Sequence, residues 1–61
     1  MAEVKDQIRS NKGIIGIVEK VYESSVMIKI LKNPTDIFFK NNVTVINHKN
    51  YEVIHKAPFQ Q

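Results

Sequence analysis

The chain of 61 residues contains no cysteine. No disulfide can staple it, no thiolate can hold zinc, and no thiol can serve as a nucleophile. Acidic residues are few, with six Asp and Glu against nine Lys and Arg, for a net charge of +3. Histidine is limited to His48 and His55, whose separation matches no ligand pattern, so no metal site and no cofactor are expected. Long apolar runs are missing, and nothing in the chain is long enough to span a bilayer. The charged opening Met1-Ala2-Glu3-Val4-Lys5-Asp6 has no apolar segment behind it to act as a signal peptide. The expectation is a cytoplasmic protein with no membrane partner. Glycine and proline occur twice each, and each marks one definite place in the chain.

What is present is a dense supply of β-branched residues. Hydrophobic residues make up 43% of the chain, which argues against disorder. A chain this short buries only about 60% of the surface its unfolded form exposes, so stability rests on a compact apolar core, helped by self-association if that occurs. Residues 1–56 are expected to form one β domain and residues 57–61 a short tail.

The strongest local signal is the segment from Asn11 to Leu31. Val4 to Arg9 reads as a first strand with Ile8 as its firm core residue, although Asp6 falls on the apolar side of the alternation. Ser10-Asn11-Lys12-Gly13 is a turn, where Gly13 supplies positive φ at little steric cost. Gly16, inside an apolar run, marks a bulge, a bend or the close approach of another backbone. A second strand runs from about Ile14 to Tyr22. A bulge near Glu19-Lys20 would bring Val18 and Val21 onto one face. Glu23-Ser24-Ser25 is the hairpin tip. Val26, Ile28 and Ile30 form the inward face of the third strand, with Met27, Lys29 and Leu31 outward. A helix is the competing reading there; the β-branched density and the missing capping box argue against it.

Pro34 breaks the chain within Lys32-Asn33-Pro34-Thr35-Asp36. Ile37-Phe38-Phe39-Lys40 is a short strand or a crossing segment, with at least one Phe buried. After the Asn41-Asn42 turn, Val43–Ile46 and Tyr51–Ile54 read as strands of a second hairpin joined by Asn47-His48-Lys49-Asn50. From His55 the chain reads as a tail, docked only if Phe59 packs on the body. The expected fold is all-β, a small SH3-like antiparallel barrel of about five short strands, with a smaller sheet completed by dimerisation as the runner-up.

Gly13, Gly16, Val18, the Ser24-Ser25 tip and the strand Val26–Ile30 resemble the hairpin motif of KOW and Tudor-type SH3-like barrels. Over the segments Gly16–Val26 and Val45–Ile54, about a third of the chain, the sequence resembles the YkvS-like family of small Firmicute proteins. That resemblance implies a bacterial cytoplasmic protein and no particular activity. The KOW likeness implies contacts with RNA, ribosomes or transcription machinery through loops and strand ends, by analogy of fold.

No catalytic set is visible, and no small-molecule substrate is expected of so small a chain. Gly13 and Gly16 have the wrong spacing for a phosphate loop, and no helix follows them. A binding module is the favoured reading, with RNA, DNA or a ribonucleoprotein as partner. Arg9, Lys12, Lys29, Lys32, Lys40 and Lys49 could hold phosphates, and Tyr22 and Phe38 could stack bases. Phe39 and Tyr51 are further stacking candidates, and the core could claim any of the four rings. His48 either decorates its turn or touches a phosphate. The alternative is a protein partner or a homodimer, with Phe38, Phe39 and Phe59 as anchors and an open sheet edge accepting a strand. Lysines on strand surfaces also serve simply to guard edges.

Overall fold

Among the described residues, valine and isoleucine at alternate positions build five strands, and these form one antiparallel sheet. The computed structural model describes residues 1–57. β1 spans Gln7–Ser10, β2 Ile15–Val21, β3 Ser25–Lys32, β4 Val43–Asn47 and β5 Tyr51–His55. Single 3-10 turns at Lys40–Asn42 and His48–Asn50 lead into β4 and β5. No α-helix occurs among the described residues. The order across the sheet is β4-β3-β2-β1-β5. This all-β arrangement is consistent with an SH3-like barrel, although no ladder joins β4 to β5 to close it.

The inward positions make the core. Ile8, Val18, Val26 and Ile28 are fully buried, with Ala2, Ile14 and Ile46 nearly so. Val21, Ile30, Phe39, Tyr51 and Val53 pack against them. Each fully buried Val or Ile contributes roughly 1.5–3 kcal/mol relative to its exposed state. Val18 lies opposite Ile28 and Val21 opposite Val26, with a register shift between Val18 and Lys20. Glu19 is therefore the extra residue of a bulge, which puts both valines on the core side as the alternation predicts.

Both glycines answer local geometric demands. Gly13 sits at φ 88 and donates its N–H to the Ser10 carbonyl at 2.9 Å, closing the β1–β2 turn. Gly16 lies where β3 comes closest: a Cβ there would be 2.7 Å from the Lys29 carbonyl oxygen and 2.6 Å from Ile28 Cδ1.

Three expectations are corrected. The first strand starts at Gln7, not Val4, because Glu3–Asp6 forms a turn. The Glu3 carbonyl accepts the Asp6 N–H at 3.0 Å, and Lys5 takes φ 78 within it. The second hairpin does not form: β4 pairs with β3, and β5 crosses to pair with β1. The connecting 3-10 turn is tied down on both sides. The Asn47 side chain accepts the Lys49 N–H at 2.9 Å. The His48 N–H reaches the Ser24 carbonyl at 3.0 Å, and the Asn11 N–H reaches the Asn50 carbonyl at 2.9 Å. These bonds carry the chain from the hairpin tip to the β1–β2 turn. Finally, His55 belongs to β5, and the Ala57 N–H is bonded to Asp6, so the chain is still held there. Pro58 to Gln61, with the expected docking of Phe59, lie outside the described residues.

Ile37 to Phe39 is irregular, not a strand. Asn33 organises the loop: its Oδ1 accepts from the Thr35 N–H at 2.9 Å, and its Nδ2 donates to the Ile37 carbonyl at 2.8 Å. Phe39 packs on the core while Phe38 stays 86% exposed.

Candidate functional site

Directly opposed residues in an antiparallel pair point to the same face, so the register defines what the outward face presents. One row runs Glu52, Arg9, Ile15, Lys32 across β5, β1, β2 and β3. The next runs His55, Gln7, Ile17, Lys29, Val43, ending on β4. A third joins Lys20, Met27 and Val45. Arg9, Lys20, Lys29 and Lys32 are all exposed, and Ile15, Ile17, Met27 and Val43 are half-buried between them. The face is an aliphatic floor studded with cations. Glu52 is the one acid among these cross-strand partners, and it is ion-paired to Arg9. Glu19, the bulge residue, is exposed beside Lys20.

The predicted site residues thus fall into two groups. Arg9, Lys29 and Lys32 share the outward face. Lys12 is on the β1–β2 turn, Lys40 on the 3-10 turn before β4, and Lys49 on the one before β5. Tyr22, 44% exposed, ends the β2 side of the hairpin, and Phe38 stands on the β3–β4 loop. Neither ring belongs to the cationic rows. Lys20 was missed by periodicity alone, because only the bulge at Glu19 brings it opposite Met27 on the outward side.

His48 is a strut. Its Nε2 lies 2.9 Å from the Tyr22 carbonyl oxygen and its Nδ1 lies 2.7 Å from the Tyr51 hydroxyl. A carbonyl only accepts, so in the neutral ring Nε2 carries the hydrogen and Nδ1 accepts from Tyr51. The Tyr51 oxygen in turn accepts the Ala2 N–H at 3.1 Å. An open depression of ≈ 320 Å³ at the hairpin tip gathers Glu23, Ser24, Asn47, His48 and Lys49. It sets a carboxylate, a hydroxyl and an imidazole around one hollow, but with both ring nitrogens engaged the imidazole offers no free base for a serine.

A second hollow, a groove of ≈ 210 Å³, lies between β4 and the β1–β2 turn, with Ile37 and Phe39 in its lining. Among the described residues no cluster of His, Asp and Glu could hold a metal ion, and no helix is long and apolar enough to cross a membrane.

These features define a small all-β protein with a cationic outer sheet face. The chain belongs to a bacterial family described as "Uncharacterized protein conserved in bacteria (DUF2187)", whose model matches residues 1–54. It is 41% identical over 56 residues to "Uncharacterized protein YkvS" of Bacillus subtilis (strain 168), an alignment covering 88% of this chain and 90% of that one. The resemblance carried by Gly16–Val26 and Val45–Ile54 therefore reflects family membership. No solved structure matches the chain.

Proposed function

We propose that the protein is a non-enzymatic binding module that holds RNA or single-stranded DNA, free or within a ribonucleoprotein, on its outward sheet face. The observation that carries this reading is the convergence of Arg9, Lys20, Lys29 and Lys32 on one face, with Glu52 as the one opposing acid among the cross-strand partners. Cations spaced along neighbouring strands neutralise successive phosphates and release their counterions, which gives affinity without sequence preference. The aliphatic floor of Ile15, Ile17 and Met27 supports sugars and base faces by contact. Lys12, Lys40 and Lys49 would extend the grip from the loops, with Phe38 as an exposed stacking surface. The likeness of the Gly13–Ile30 hairpin to KOW-type hairpins points the same way.

The test is the affinity for a short labelled single-stranded RNA across a salt series. For three or four phosphate contacts, log K falls against log salt with a slope of about −2 to −3. Lys29→Glu and Lys32→Glu should weaken binding more than Lys49→Glu. No binding at low salt, where the electrostatic attraction is greatest, would remove the proposal.

A further inference from the structure

The sheet has two free edges among the described residues, and they are guarded differently. β5 carries Glu52 and His55 and runs on into Lys56. Charges of this kind discourage an edge from pairing with stray strands. β4 reads Val43-Thr44-Val45-Ile46-Asn47, with no charge and no proline. Its one ladder among the described residues is with β3; the Val43 N–H goes to the Lys40 carbonyl, and from Thr44 on no strand lies against its other side. Val45 on this strand is 56% exposed.

The ≈ 210 Å³ groove follows that same edge, for Thr44, Val45 and Ile46 all line it. Successive strand residues point to opposite faces. A hollow touching three in a row therefore runs along the edge of the strand and not over one face. Lys12 forms part of its far wall, and Ile37 and Phe39 supply apolar lining. The lining holds one cation and no acid. Lys40 opens the turn that leads into β4.

We infer that β4 and its groove take an extended segment of a partner protein, which adds as a sixth strand and seats an aliphatic side chain against Ile37 and Phe39, with acidic residues beside it. Main-chain bonds to β4 supply affinity in this mode, and the groove supplies selectivity. The volume suits one or two aliphatic side chains. The lone cation of the lining favours acidic flanks. A second copy of this chain could pair with the edge but would leave the groove empty, because the inward residues of its own β4, Thr44 and Ile46, already face its own core.

The probe is a fluorescein-labelled peptide, Asp-Glu-Val-Leu-Val-Glu-Asp, titrated into the full-length protein and followed by anisotropy and by amide chemical shifts. Saturable binding is expected, with shifts concentrated at Asn11–Ile14 and Thr44–Ile46. Ile37→Asp, at an exposed loop position, should weaken binding about tenfold or more. Glu52→Gln on β5, at the opposite edge of the sheet, should leave it unchanged while altering RNA affinity, which separates this site from the nucleic-acid face. Failure to saturate at millimolar peptide overturns the inference. So do shifts that map to Arg9, Lys29 and Lys32, or equal binding of a peptide with lysines in place of its acids. Sedimentation showing a micromolar dimer that Val45→Lys returns to monomer assigns the edge to a second copy and overturns it as well.

Discussion

The carboxylate of Asp6 accepts the backbone N–H of Ala57 at 2.6 Å, joining the residue before β1 to a residue just beyond β5. Its other oxygen accepts the Glu3 N–H at 2.9 Å and the Lys56 ammonium at 3.2 Å. Asp6 is fully buried. The same residue's carbonyl takes the Val18 N–H at 2.9 Å, so the clasp also touches β2. Burial alone pushes the Asp6 carboxyl up, but the N–H groups of Glu3 and Ala57 and the Lys56 charge outweigh it and hold the carboxyl below its ordinary 3.8.

Replacing this group should be costly. Whichever way the amide of Asp6→Asn turns, its NH₂ faces either the Ala57 N–H or the Glu3 N–H and the Lys56 ammonium, setting donor against donor. A loss of about 2–3 kcal/mol is expected near neutral pH, read by urea denaturation. Because the folded carboxyl titrates below the unfolded one, its contribution is complete above pH 3.8 and is lost as pH falls through the lower folded value. The gap between the native protein and Asp6→Asn should therefore narrow in acid. Lys56→Ala, whose side chain is 65% exposed, should cost under about 1 kcal/mol.

Gly16→Ala probes the close approach of β3. The added methyl would stand 2.7 Å from the Lys29 carbonyl oxygen, which the β2–β3 ladder holds in place. Overpacking of this kind costs about 1–3 kcal/mol. Gly13→Ala meets Pro34 Cγ at 3.2 Å and suffers mainly from its φ of 88, a cost of about 1–2 kcal/mol. Thermal melts of both should show Gly16→Ala as the equal or larger loss, with Gly13→Asn milder than Gly13→Ala, since asparagine tolerates left-handed dihedrals.

The difference between what was legible in the sequence and what was not follows the range of the interactions. Gly13, Gly16 and the Val18–Val21 bulge were legible because turn chemistry and alternation are local. The second hairpin was not, because strand–turn–strand reads the same whether the last strand folds back on β4 or crosses to β1. What decides it are bonds from His48 to Ser24 and from Asn11 to Asn50, partners far apart in sequence. Asp6 looked like a fault in the first strand because Lys56 and Ala57 lie at the other end of the chain. Within the candidate site, alternation puts Lys29 outward. Lys12, Lys40 and Lys49 sit on turns, where periodicity carries no orientation, and His48 proved to be held on both ring nitrogens.

Tyr51→Phe tests that strut. The hydroxyl accepts from the Ala2 N–H and contacts His48 Nδ1, so its loss frees one partly buried donor and one acceptor. A destabilisation of about 1–2 kcal/mol is expected. Amide exchange at Ala2 should quicken, while the outward face keeps its RNA affinity. Unchanged stability and exchange would mean that the Ala2–Tyr51–His48 chain is not maintained in solution.

Glu52→Gln addresses the charge balance of the outward face. The Arg9–Glu52 pair is exposed on both sides, 50% and 62%, and such pairs contribute about 0–1 kcal/mol to stability. Its removal should leave the melting temperature nearly unchanged. The same change frees the Arg9 guanidinium and deletes the one acid among the cross-strand partners of that face. If this face holds phosphates, affinity for single-stranded RNA should rise several-fold, with a salt slope steeper by about one phosphate contact. An unaltered affinity in this variant, measured alongside Lys29→Glu, would place the polyanion elsewhere on the molecule, because an acid beside a phosphate site cannot be electrostatically silent at low salt.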